Sequence, residues 1–198
     1  MKFIPLCNLP SFDTKSGELN AVIETPKGSH NKFDYDEAHN LFRLGGVLPA
    51  GASFPFDFGF VPSTLGEDGD PLDVLVLMDA PAFAGCLVPA RVIGAIEAEQ
   101  TERNGESMRN DRLIAVASNS RLHHEIHSLD DLNSGLMDEI EHFFVSYNDI
   151  KGKQFQPRQR SGPERARKLI EEGQKRLRQE RTAKRTKPKS ASKRAKAT

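Results

Sequence analysis

A mainly β, α+β fold is what this sequence predicts: a closed barrel or sandwich with its helices gathered late in the chain. Three observations carry that expectation. Short β-branched or alternating runs, punctuated by Gly and Pro, fill the chain as far as Ala117. Helical periodicity begins only after residue 130. At 198 residues the chain is long enough to bury one real core.

The elements follow in order. Ala21-Val22-Ile23-Glu24-Thr25 is short and β-branched and stops at Pro26, which reads as a strand. Lys32-Phe33-Asp34-Tyr35 alternates polar and aromatic residues, and Leu41–Leu44 is closed by Gly45-Gly46. From Phe54 to Phe60 every second residue is Phe, so one face of an extended segment is aromatic, and core is the default reading for those rings. Pro55 argues against a central strand there. Leu72–Met78, Ala90–Glu99 and Leu113–Ala117 complete the β body, with polar Gln100–Asp111 an exposed hairpin loop. Leu132, Leu136, Ile140, Phe143, Phe144 and Tyr147 then recur at steps of three and four, the apolar face of one helix. Ser161-Gly162-Pro163-Glu164 has capping-box spacing, and Ala166, Leu169, Ile170 and Leu177 mark a second helix.

The formal net charge of zero conceals a division of the chain. Residues 1–150 hold 10 Lys/Arg against 24 Asp/Glu, a net of −14, and residues 151–198 hold 18 against 4, a net of +14. Beyond Arg181 the sequence is Lys, Arg, Ala, Ser, Thr and Pro only, so too little apolar surface is there to drive ordering. The expected organisation is a barrel domain over 1–160, a C-terminal amphipathic helix over 161–181 and a disordered basic tail over 182–198. That tail has two readings, a solubilising extension and a weak, sequence-blind nucleic-acid contact. The first is favoured, because no aromatic interleaves the charges to stack on bases. Cys7 and Cys86 lack the spacing of a zinc site and are too few for a disulfide framework, so reduced thiols in the cytoplasm are expected. No run approaches the roughly 18 apolar residues of a membrane span. The apolar stretch before Cys7 is too short, and carries Pro5, for a lipoprotein signal.

Asp68-Gly69-Asp70-Pro71-Leu72-Asp73 is the chemically loaded stretch, three carboxylates in six residues directly before Val74-Leu75-Val76-Leu77. Carboxylates this close repel, and a strand that roots them suits cations. All-oxygen ligands point to a hard divalent metal, Mg²⁺ or Mn²⁺, with a solvated acidic turn as the bland alternative. An EF-hand beginning at Asp68 would need Gly and Glu where Asp73 and Asp79 stand. His123-His124-Glu125-Ile126-His127 lacks the pattern of a metalloprotease helix and reads as a surface loop.

The run Gly59-Phe60-Val61-Pro62-Ser63-Thr64-Leu65-Gly66-Glu67-Asp68-Gly69-Asp70-Pro71-Leu72-Asp73-Val74-Leu75-Val76 closely resembles the soluble family I inorganic pyrophosphatases. The likeness continues at Glu24, Lys32 and Arg43, at Arg91-Val92-Ile93-Gly94, at Leu113–Val116 and at His142–Tyr147. It implies a five-stranded OB-like closed barrel flanked by helices, and Mg²⁺-dependent hydrolysis of pyrophosphate to two phosphates. By that resemblance Asp68 and Asp73 bind the activating metals with Glu24 close by, and Asp70 acts on the attacking water as general base. Lys32, Arg43 and Tyr147 hold the phosphates, and Lys153 assists the one that leaves last. A homo-oligomer is expected, with pyrophosphate and phosphate as its small-molecule partners. The chemistry is coherent, because pyrophosphate repels an anionic nucleophile and divalent ions offset that repulsion.

The chain departs from the family's pattern at several points. Phe58 stands for a tyrosine, Asp57 for an asparagine, Gln100 for an acid and Asn148 for a lysine. The third metal-binding aspartate falls at Asn110; a one-residue shift lets Asp111 serve, although strand alternation turns that side chain to the other face. Hydrolysis with weaker substrate binding or altered metal use is the expected consequence. The alternatives are a catalytically weak phosphate- or nucleic-acid-binding protein on the same barrel, and a hydrolase of another phosphoanhydride.

Overall fold

β1 (Leu19–Thr25) pairs antiparallel with β4 (Asp57–Phe60) on one side and with β6 (Leu87–Thr101) on the other. β4 continues antiparallel to β5 (Asp73–Leu77), β5 runs parallel to β8 (Arg112–Ala117), and β8 returns antiparallel to β6. Five strands therefore close into a ring. β7 (Ser107–Arg109) and β9 (Gln154–Ser161) extend the sheet along the long β6, while β2 (Asn31–Asp36) and β3 (Leu41–Val47) form a separate hairpin. Two α-helices are found among the described residues, α1 (Ser134–Ile150) and α2 (Pro163–Thr186). The computed structural model describes residues 4–186, so the distal part of the expected basic tail, 187–198, lies outside the described residues.

Both faces of the ring are covered, which explains why its strands read as continuous apolar runs. Val74 and Val76 of β5 face a core shared with Leu113, Ala115 and the α2 residues Ala166, Leu169 and Ile170. Leu75 and Leu77 face the other core, with Ile114, Val116 and the α1 residues Met137, Ile140 and Phe144. α2 is thus packed into the ring, and it continues as helix to Thr186, past the point where composition alone ends it. Each buried Leu or Ile contributes about 1.5–3 kcal/mol by leaving water. That offsets the poor apolar content of the rest of α2.

One expectation needs correction, and one strand was not foreseen. Residues 100–111 are not a single loop: β6 runs on to Thr101, the chain turns at Gly105 (φ +85°), and β7 leads back along it. β9 was not legible at all. Gln-Phe-Gln-Pro-Arg-Gln-Arg-Ser buries chiefly Phe155 and Ser161, and its strand form comes from backbone pairing with β6. The helix start also shifts slightly, with Asn133 capping α1 through the Gly135 amide at 2.8 Å. No helix among the described residues is long and apolar enough to cross a membrane.

Close approach fixes Gly59 on β4. A Cβ there would lie 1.9 Å from the Val22 carbonyl oxygen across the β1–β4 pair. Backbone cannot yield that distance without breaking the ladder. Gly59→Ala is expected to cost more than about 4 kcal/mol, read as loss of the cooperative thermal transition or of soluble protein.

Glu97 of β6 ties three elements together, accepting from Ser161, Arg109 of β7 and Arg165 of α2, the last at 3.3 Å. Burial by itself would raise its pKa, but Ser161, Arg165 and Arg109 outweigh burial and hold it below the ordinary 4.5. A carboxylate with a depressed folded pKa stabilises fully above its unfolded value and loses that contribution as pH falls through the folded one. Glu97→Gln is therefore expected to lower stability at pH 7 by about 1–3 kcal/mol. In urea titrations the gap to wild type should narrow as pH drops below 4.5.

Candidate active site

One cavity of about 610 Å³ opens at the end of the ring where β5 and β8 begin. The parallel register sets Asp73, first residue of β5, beside Arg112, first residue of β8. Their side chains meet at 2.5 Å. Arg112 is 4% exposed and lies over the rings of Phe144 and Phe155 at 5.1 and 5.2 Å, so packing fixes its direction. The loop before β5 folds back on itself, with the Gly66 amide on the Asp70 carbonyl at 2.6 Å and Gly69 at φ +90°. The Asp68 carboxylate accepts the Asp70 amide at 3.1 Å. Asp68, Asp70 and Asp73 consequently line the same wall.

Glu24 arrives from β1, at the register shift between Ile23 and Thr25 against β4. Such a bulge re-aims a side chain. Its carboxylate takes the Tyr35 amide at 2.8 Å and Lys32 Nζ at 3.4 Å. Lys32 also pairs with Asp34 and lies 5.0 Å over the Phe58 ring. Phe58 and Phe60 belong to the aromatic run read from sequence as core; both are buried, yet both also line the cavity. The end of α1 supplies the remaining wall, with Tyr147, Asn148, Lys151 and, after the turn at Gly152 (φ +72°), Lys153. Lys153 pairs with Glu102 at 2.8 Å.

The electrostatics reflect crowded acids. Burial, then repulsion from Asp73, pushes Asp68 up to about 6, and the same two causes raise Asp70. Burial lifts Glu24 to about 7 against the pull of Lys32. Lys32 moves the other way: burial would lower it, but Glu24 and Asp34 outweigh burial and hold it firmly charged. Burial raises Tyr147 to about 12, so its phenol keeps its proton. Asp70 is distinct in that its carboxylate makes no ion pair and accepts no hydrogen bond among the described residues.

The donor set suits a hard divalent cation, since seven carboxylates line the void against the four cations Lys32, Arg112, Lys151 and Lys153, and all seven offer oxygen. Among the described residues no three His, Cys, Asp or Glu side chains converge as a ready-made metal cage. Lys32 and Arg112 hold two of the acids instead. A cation drawn to Asp73 competes with Arg112 for that carboxylate.

Two residues assigned by resemblance fall outside the cavity. Asp111 follows Asn110 at the head of β8, and strand alternation turns it away, as its Oδ1 on the Ala98 amide at 3.1 Å and Oδ2 on Arg109 at 2.6 Å show. Asn110 takes the cavity side, joined to Gln100 at 3.2 Å. Arg43 sits opposite Asp34 on β3, but its side chain is 67% exposed and reaches Asp36 at 3.4 Å. Sequence reasoning in turn passed over Arg112, Asp34 and Lys151. Arg112 had a faint signal, a cation at the head of an apolar strand, but its partnership with Asp73 depends on β5–β8 register. The histidines at 123, 124 and 127 lie in a turn-rich segment ahead of Leu129, away from the cavity lining.

Comparison with known proteins finds relatives across most of the chain. The family model described as inorganic pyrophosphatase matches residues 21–178. An inorganic pyrophosphatase of Synechocystis sp. is 40% identical over 139 residues, 70% of this chain and 79% of that protein. One from Halalkalibacterium halodurans is 39% identical over 154 residues, covering 78% and 91%. In structure, the inorganic pyrophosphatase of Thermus thermophilus superposes with a TM-score of 0.79 at 34% identity, covering 88% of this chain and 99% of that one. With a ring of five strands, an acid-lined cavity at its rim and matches across most of its length, the chain belongs to the inorganic pyrophosphatase family.

Proposed function

We propose that this chain hydrolyses inorganic pyrophosphate to two phosphates in the cavity at the rim of the ring, with Mg²⁺ as its preferred metal and Mn²⁺ as a substitute. The observation that supports this most is the opposition of Asp68, Asp70, Asp73 and Glu24 to Lys32, Tyr147 and Lys153 around one void. Asp68, Asp73 and Glu24 would hold the metal, which when bound offsets the substrate's negative charge and acidifies water. The protein's own contribution is positioning and charge, the main requirements of phosphoryl transfer.

Asp70 takes the proton from the attacking water. Its carboxylate is unpaired, and burial and Asp73 raise its basicity above that of a free aspartate. Lys32, held charged beside Glu24 and Asp34, offers its ammonium to phosphate oxygens. Tyr147 donates the proton that burial makes it keep. Lys153 is poised for the departing phosphate, exchanging Glu102 for it. Gln100 and Asn110 place a hydrogen-bonded amide pair on the wall. Neutral groups there reduce the cavity's capacity for cations, so the metal requirement should be met at higher Mg²⁺ than an all-acid wall would need. Free Cys7 and Cys86 suit a reducing cytoplasm.

Asp70→Asn is expected to lower kcat about 10²–10⁴-fold while leaving the Mg²⁺-induced rise in Tm intact. A phosphate-release assay beside differential scanning fluorimetry checks both. Full activity in that variant would contradict the assignment of the base. Chelation should abolish phosphate release and added Mg²⁺ restore it. Pyrophosphate should also outpace tripolyphosphate and nucleoside triphosphates in the same assay; the reverse order would move the substrate to another phosphoanhydride.

A further inference from the structure

The cavity's cations are not equivalent. Lys32 is committed to Glu24 and Asp34, Arg112 to Asp73, and Lys153 to Glu102. Lys151 alone among the described lining cations has no carboxylate partner. Its Nζ instead donates to the Tyr147 hydroxyl and lies 4.2 Å from the centre of that ring. The spacing is that of one helical turn, from Tyr147 to the C-cap of α1. Because the phenol oxygen accepts from Lys151, its own proton is left to point elsewhere, and the cavity is the open side.

Asn148, next to Tyr147 in sequence, cannot serve in this way. It is 3% exposed, and its amide nitrogen donates to the Phe144 carbonyl at 2.8 Å inside the helix. The positive charge of this wall therefore comes from one turn later. Burial, with repulsion from Lys32 next in weight and Lys153 adding to it, draws Lys151 below the ordinary lysine range. Positive groups that face one void and repel one another are relieved by an anion between them.

We propose that Lys151 is a substrate-binding residue, and that it and the Tyr147 hydroxyl together grip one phosphate of pyrophosphate from the α1 side of the cavity. This rests on the hydrolase reading above and deepens it. Lys32 and Lys153 must release acids to bind substrate; Lys151 releases none, because an ammonium has three donors and can hold the Tyr147 hydroxyl with one while offering the others to phosphate. It is the first cation available to an incoming polyanion.

The test compares Lys151→Met and Lys151→Arg with wild type in steady-state phosphate release at saturating Mg²⁺. Calorimetric binding of imidodiphosphate, the nitrogen-bridged analogue, runs alongside. Loss of one charge-assisted contact predicts a rise of about 10-fold or more in KM for Lys151→Met, with a matching loss of analogue affinity. Its kcat should stay within about threefold of wild type, its Tm without ligand should be unchanged, and Lys151→Arg should recover most of the affinity. Unchanged KM and analogue affinity in Lys151→Met would overturn the proposal. So would a fall in Tm and kcat at constant KM, which marks a merely structural helix end. If wild type itself releases no phosphate from pyrophosphate, the hydrolase reading fails first, and the analogue titration still decides whether Lys151 holds the anion.

Discussion

Mutual repulsion among acids fixed at one rim is the constraint around which this structure is arranged. Asp73 cannot retreat, because β5 is paired on both sides, to β4 and β8. Asp68 and Asp70 are tied to it by a tight loop, and Glu24 is aimed inward by an irregularity in β1. In water such carboxylates would spread apart. Here they are partly buried, and Asp68 and Glu24 rise to about 6 and about 7. The fold accepts that cost because its two cores, one under α1 and one under α2, hold the strands irrespective of what the rim carries.

Counter-charges are placed by the same geometry. Arg112 stands next to Asp73 because a parallel pair brings equivalent strand starts together, and two aromatic rings keep it there. Lys32 joins Glu24 from the β2–β3 hairpin, which lies outside the ring. A metal can take the acid from each of these cations and a phosphate can draw the cation away, so both pairs are able to exchange partners while the lining keeps an excess of carboxylates. Phe58, with no hydroxyl to offer, makes the Lys32 side chain rest on a ring face instead.

The sequence carried much of this and missed the rest for definite reasons. Apolar runs at Val74–Leu77 and Leu113–Ala117 revealed strands buried on both faces, and the acids ahead of the first of them revealed the site. β9 escaped because its strand character lies in backbone bonds to β6 and in ion pairs such as Arg158 with Glu99, neither of which shows as hydrophobic alternation. The choice between Asn110 and Asp111 was a one-residue question, and alternation gives the cavity to Asn110. Arg43 stands outside the cavity lining because resemblance fixes the position along a strand, whereas a long side chain settles on whatever partner is nearest, here Asp36. Lys151 left no trace as a site residue, since its role depends on where α1 ends.

Under the proposal above, Asp68, Asp73 and Glu24 form one divalent-cation centre, although among the described residues no three such side chains already converge. Diffraction from crystals soaked in Mn²⁺ and collected at the manganese absorption edge tests it most directly. Anomalous peaks bounded by Asp68, Asp73 and Glu24, with Arg112 moved off Asp73, are the predicted result. Peaks confined to other acids, with the Asp73–Arg112 pair intact at saturating Mn²⁺, would contradict it.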